Sequence, residues 1–134
     1  METIGITTEI RMLAWTIVLG LLHLVLAVGM VTRDKGLKWN VGARDAGGAP
    51  VGAVTERVNR ALRNFLETFP LFAAAVLAVA VAGRFDATTA LGAQLYFWSR
   101  VAYVPLYAAG IPYVRTLVWG VSIAGLLMVL AALF

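Results

Sequence analysis

Residues 12–32 read MLAWTIVLGLLHLVLAVGMVT, an apolar stretch with no Asp, Glu, Lys or Arg. At about 1.5 Å of rise per residue, a run of this length crosses the ~30 Å hydrocarbon core of a bilayer as a single helix. No other feature constrains the fold as strongly, because such a segment must be covered all round by protein or by lipid. A chain of 134 residues has too little protein to do the covering. Hydrophobic residues make up 61% of it and charged residues 13%, with a mean hydropathy of +0.86. Soluble domains average about 45–50% apolar and about 25% charged. Glu2 and Glu9 precede the run, which is also too long for the apolar core of a cleavable signal segment. The sequence therefore reads as an all-α integral membrane protein.

Three further apolar stretches follow, and the spans are expected at about 8–32, 54–82, 87–109 and 113–133, in one four-helix transmembrane bundle covering residues 1–134. A polar, glycine-rich loop occupies 33–53, and Gly110-Ile111-Pro112 separates the last two spans, since Pro cannot continue a helix interior. Arg33, Lys35, Lys38, Arg44 and Arg57 flank the first loop, whereas only Arg84 lies between the second and third spans. By the positive-inside rule the first loop is cytoplasmic and both termini lie on the far side. The net charge of +4 thus marks topology, and a nucleic-acid partner is not expected. With no Cys and only His23, thiolate or histidine metal sites and a protein-borne cysteine nucleophile are excluded, so no metal is expected. His23, among apolar neighbours, reads as a helix-packing hydrogen bonder more readily than as a proton relay.

The second span carries charge where lipid tolerates little. Arg57, Arg60, Asn64 and Glu67 recur at helical spacing and share an arc of roughly 80°. On insertion scales an Arg or Asp near the centre of a span costs ~2.5–3.5 kcal/mol, so these groups need polar company. Arg63 lies off the stripe and reads as an interfacial side chain. On the third span Tyr96, Arg100, Tyr103 and Tyr107 occupy an arc of about 60°. Antiparallel spans bring Arg60, Asn64 and Glu67 to the depth of Arg100, Tyr103 and Tyr107, with Arg115 of the fourth span and Arg33 and Lys35 of the first on the same side. Such a set suits a ligand with carboxylates and an amine. An internal Arg–Glu lock between helices would use the same residues. Pro70 and Pro105 either open a cleft beside the stripe or merely tune packing. The four tryptophans carry no site signal.

The segment from Glu56 to Phe72, ERVNRALRNFLETFPLF, resembles the second-helix signature of the MAPEG family, the membrane-associated proteins in eicosanoid and glutathione metabolism, with its E-R-x-x-R-A-x-x-N-x-x-E pattern and aromatic-Pro-hydrophobic step. Arg100-Val101-Ala102-Tyr103-Val104-Pro105-Leu106-Tyr107 and Arg115 are similar to the family's third- and fourth-helix positions. The chain departs from some animal members in carrying Leu62 in place of a polar residue and Thr68 in place of Tyr. The resemblance implies a homotrimer of four-helix protomers with glutathione as cofactor, bound between protomers near the cytoplasmic face. It implies that Arg60, Asn64, Glu67, Tyr103 and Tyr107 hold glutathione, with Arg100 as a further contact and Arg33 or Lys35 approaching from a neighbouring subunit. Arg115 is the implied catalytic residue, stabilising the glutathione thiolate. The chain resembles a prokaryotic-type member, which implies a multi-pass protein of a bacterial inner membrane.

The expected function is a glutathione transferase or peroxidase-like enzyme acting on a hydrophobic small molecule from the bilayer. A structural or regulatory membrane subunit and a small four-helix transporter are the alternatives. Small multidrug exporters would carry their critical carboxylate in the first span, where this chain has none after Glu9.

Overall fold

The computed structural model describes residues 5–44 and 47–134; Glu2, and residues 45–46 of the expected 33–53 loop, lie outside the described residues. Among the described residues the chain is helical and without strands. The elements are α1 (Thr8–Lys35), α2 (Leu37–Val41), α3 (Ala53–Ala82), α4 (Ala87–Ala108) and α5 (Pro112–Leu130), with a last 3₁₀ turn at Ala131–Leu133.

Local chemistry sets the ends. The Thr7 hydroxyl accepts from the Ile10 N–H at the start of α1 (3.3 Å). The apolar run ends at Thr32 but the helix continues to Lys35, because backbone hydrogen bonding does not stop where hydropathy does; the turn comes at Gly36, with φ 94°. Asp86 opens α4 with a reciprocal cap, its carboxylate accepting from the Thr89 N–H (2.8 Å) while the Thr89 hydroxyl accepts from the Asp86 N–H (2.8 Å). Pro112 sits in the first turn of α5, where its missing N–H and fixed φ cost nothing. Pro70 and Pro105 both lie inside continuous helices.

Helices α1, α3 and α5, the last with its terminal turn, are long and apolar enough to cross a membrane. Helix α4 is of similar length but is diluted by Thr88, Thr89, Gln94, Ser99 and Arg100. Large apolar side chains stand on the outside, among them Leu22, Val25, Leu71, Leu117 and Val81, which is 91% exposed. A surface of that kind is suited to acyl chains or to other protein, not to water.

The main core gathers Leu13, Phe72, Ala75, Val76, Val79, Ala93, Tyr96, Leu126 and Val129. These come from the beginning of α1, the end of α3, the beginning of α4 and the end of α5, so they occupy one end of an up-and-down bundle. The closest helix pair is α4 with α5, which cross at Gly92 and Gly125. A Cβ at Gly92 would lie 2.6 Å from the Gly125 carbonyl oxygen, and one at Gly125 would meet the Gly92 carbonyl oxygen as tightly. Only glycine at both positions lets the two backbones touch. At this end Glu9 is buried and accepts from the Thr89 hydroxyl (2.5 Å), joining the first turns of α1 and α4.

A smaller cluster of Ala27, Val58 and Leu62 fills the other end. There His23 donates from Nε2 to the Val58 carbonyl (3.1 Å), tying α1 to α3 as a packing contact. Arg57 donates from Nε to the Ala108 carbonyl (3.0 Å), so the first residue of the expected stripe closes the last turn of α4. Asp34 accepts from the Gly52 N–H (2.9 Å) and the Thr55 hydroxyl (2.6 Å), joining the end of α1 to the start of α3. Asp34 lies in the last turn of α1, beyond the apolar run that ends at Thr32 and within the polar stretch 33–53. The Thr55 hydroxyl first, and the Gly52 N–H next, hold its carboxyl below the usual range.

Candidate functional site

Opposite the apolar core, α3, α4 and α5 diverge around a cleft of about 440 Å³. Helix α3 contributes Arg60, Arg63, Asn64 and Glu67, α4 contributes Tyr103 and Tyr107, and α5 contributes Arg115, Thr116 and Trp119. Residues separated by three or four positions stack on one helix face, so three short stretches of sequence supply the whole lining. The volume lies within the ~300–1,000 Å³ common for small-molecule sites.

The expected residues fall into three groups. Arg60, Asn64, Glu67, Tyr103, Tyr107 and Arg115 all line the cleft. Arg100 does not: it is 1% exposed and lies behind the wall, where its contacts are within the protein. Its Nη1 donates to Asn64 Oδ1 (2.9 Å), and its guanidinium carbon stands 4.3 Å from the centre of the Tyr103 ring and 5.7 Å from that of Phe65. Arg33 is also away from the cleft of its own chain. It pairs with Asp34 (3.2 Å) and its side chain is 69% exposed. Lys35 is engaged in the first loop, donating to the carbonyls of Gly47 and Ala49 and lying over the Trp39 ring.

Three lining residues were not expected: Arg63, Thr116, which adjoins Arg115 in sequence, and Trp119. Arg63 sits only about 40° beyond the edge of the α3 stripe, and a guanidinium on a long stem reaches round that far. Trp119 follows Arg115 by one turn, a spacing that could have revealed it. Tyr96, by contrast, is a core residue. It stacks on Phe72 (ring centres 4.0 Å apart) and shares a hydrogen bond with Thr68 (2.9 Å), which gives the departure at Thr68 a structural partner.

The aromatic and cationic groups form a continuous series along one wall. Arg100 faces Tyr103, Tyr103 meets Tyr107 edge-on at 5.4 Å, and the Arg115 guanidinium carbon lies 4.5 Å from the Tyr107 ring centre. Cations over aromatic faces are attracted by the ring quadrupole, by ~0.5–2 kcal/mol each. The ladder therefore fixes the direction of both guanidinium groups.

The charges are less well matched. Among the described residues the one ion pair is Arg33–Asp34, so Glu67 makes none with Arg60, Arg63, Arg100 or Arg115. The internal Arg–Glu lock is not formed among the described residues. Glu67 and Arg60 are both exposed, on a helix whose apolar length suits a bilayer. Unpaired charge at that depth is expensive without a polar partner. The cleft thus offers guanidinium and phenol donors with a single carboxylate, a pattern complementary to a small molecule with several carboxylates and an ammonium. No group of His, Asp and Glu able to hold a metal ion is present among the described residues.

No curated protein matches the chain. The model of the MAPEG family matches residues 12–134.

Proposed function

Since the chain belongs to the MAPEG family, an assignment that rests on a match over essentially its whole length, we propose that it is a membrane-bound glutathione transferase or peroxidase-like enzyme that binds glutathione in the α3–α4–α5 cleft. The observation that carries the reading is the set of unpaired charges in that cleft, above all Glu67, which shares the lining with three arginines and makes no ion pair among the described residues. Glutathione has two carboxylates and one ammonium, and this donor-rich, singly acidic lining suits it. Arg60 and Arg63 pair with carboxylate, Glu67 accepts from the ammonium, and Asn64, Tyr103 and Tyr107 orient the peptide. When bound, glutathione supplies the thiolate nucleophile, so the absence of Cys from the chain is no obstacle. Arg115, held against Tyr107, is the group that stabilises negative charge on that sulfur, since a fixed cation favours thiolate over thiol.

The second substrate in this reading is a lipophilic electrophile or peroxide that arrives from the bilayer. Helix α4 crosses the membrane with the other three long helices, the basic loop and the mouth of the cleft face the cytoplasm, and the protomers assemble as a homotrimer that brings Arg33 of one protomer towards the cleft of the next. A bacterial inner membrane is the setting that fits the prokaryotic-type sequence.

The test is glutathione-dependent stabilisation of the purified protein in detergent, with conjugation of a lipophilic halo-nitroaromatic as the companion assay. At a hundred times Kd, a ligand that binds only the folded state stabilises by about 2.7 kcal/mol. A rise in Tm that saturates with glutathione and fails with an uncharged thiol is the expected result. A Tm indifferent to glutathione would remove the enzyme reading and favour a structural subunit.

A further inference from the structure

We propose that Arg100 is a positioning residue: from behind the wall of the cleft it fixes Asn64 with the amide N–H₂ turned to the ligand. The inference rests on the functional reading for its consequence, but its geometry stands without it. An arginine side chain has five N–H donors and no acceptor, so the atom of Asn64 that meets Arg100 Nη1 at 2.9 Å has to be the carbonyl oxygen. That leaves the carboxamide nitrogen, with both of its protons, as the group that Asn64 can show to the cleft it lines. An asparagine free to flip could present either end. Arg100 removes the choice and converts Asn64 into an obligate donor.

Three features make Arg100 suited to this. It is buried to 1% exposure, so its guanidinium has little water to turn to in place of Asn64 Oδ1. Its guanidinium carbon stands 4.3 Å from the Tyr103 ring centre and 5.7 Å from that of Phe65, and cation–π attraction to these rings helps to hold it in place. It has no carboxylate partner among the described residues, and its Nε makes no hydrogen bond. An arginine whose role was to join helices would be expected to use its fork on a carboxylate. The same cation also sits at the inner end of the Arg100–Tyr103–Tyr107–Arg115 ladder, which keeps Tyr103 in place beside Asn64. The consequence is selectivity: the cleft presents donors at Asn64 and at its arginines, so an acceptor group on the ligand is accepted there and a donor group is refused.

Two double-mutant cycles between Arg100→Met and Asn64→Asp test the proposal, one with ligand and one without, with Arg100→Lys as the conservative variant. In the first, Kd for glutathione is measured. Each single substitution is expected to weaken binding about tenfold, and the double variant to weaken it by about the same factor instead of about a hundredfold, because both act through one group. Arg100→Lys keeps one donor for Asn64 Oδ1 and should recover part of the loss. Multiplicative effects would show that Arg100 and Asn64 act separately and would overturn the proposal. In the second cycle Tm is measured without glutathione. Asn64→Asp should be tolerated beside Arg100, where the new carboxylate meets a cation, and should lower Tm sharply in the Arg100→Met background. Additive Tm shifts would overturn the proposal irrespective of any ligand. Failure of the wild type to bind glutathione would remove the functional reading alone, and the Tm cycle would then decide the role of Arg100.

Discussion

The end of the bundle around Phe72 and the end around Asn64 are built from the same helices, yet they are organised in opposite ways. Around Phe72 every large group is matched: Tyr96 stacks on Phe72 and bonds Thr68, Thr89 bonds Glu9, and α4 and α5 touch at Gly92 and Gly125. Around Asn64 the same helices leave a cleft, lined by Arg60, Arg63, Glu67 and Arg115 with no ion pair among them in the described residues. One end satisfies its groups internally, and the other leaves its most costly groups for something else to satisfy. On the proposed reading the difference separates what holds the protein together from what it does, and substitutions at the two ends should therefore report on different properties.

The largest effect is expected at Arg115. Removing a fixed positive group that stabilises developing or resting negative charge typically lowers turnover about 10²–10³-fold, or ~2.7–4 kcal/mol. Arg115→Ala should lower glutathione conjugation by such a factor with little change in Tm. An Arg115→Ala variant with full turnover would take that arginine out of the chemistry. Next is Gly125→Val, which places a branched side chain against the α4 backbone and should destabilise by about 3 kcal/mol, read from thermal unfolding in detergent. A Tm equal to that of the wild type would mean that the α4–α5 crossing is not the firm part of the bundle. Tyr96→Phe keeps the stack on Phe72 and loses only the hydrogen bond to Thr68, so a loss of about 1 kcal/mol is expected, with glutathione affinity unchanged. A change in affinity would extend the site into the core and blur the distinction.

The smallest effect concerns pH. The Thr55 and Gly52 donors hold the Asp34 carboxyl below its ordinary range, so in the folded protein it stays ionised to lower pH than in the unfolded chain. The stabilisation is fully present above the unfolded value, near ~3.9, and is lost as pH falls through the lower folded value. Tm should begin to fall below about pH 4, and an Asp34→Ala variant should show less of that fall. An identical acid profile for the two would mean that the joint between α1 and α3 does not depend on this carboxylate.

Much of this arrangement could be read from the sequence, and the parts that could not share a cause. Apolar runs marked the long helices, and three-and-four spacing put Arg60, Asn64 and Glu67 on one face and Tyr103 and Tyr107 on another. Periodicity gives the direction in which a side chain points along a helix, but not how far away the neighbouring helix stands. Tyr96, Arg100, Tyr103 and Tyr107 share one arc, yet the first is core, the second lies behind the wall, and the last two line the cleft, because the bundle is closed at Tyr96 and open at Tyr107. The same limit hid Gly92 and Gly125, whose partnership exists only where α4 and α5 cross. It also hid Arg63, which reaches the cleft by the length of its side chain.

Glu67→Gln tests most directly whether the cleft is a ligand site or a structural joint. The substitution keeps the shape of the side chain and removes the unpaired charge. Tm with and without saturating glutathione should show a variant at least as stable as the wild type on its own, and a glutathione-dependent gain that is present in the wild type and gone in the variant. A variant less stable than the wild type without glutathione, beside a wild type that gains nothing from it, would mean that Glu67 holds the protein together and that the cleft is a joint between helices, with no ligand to bind.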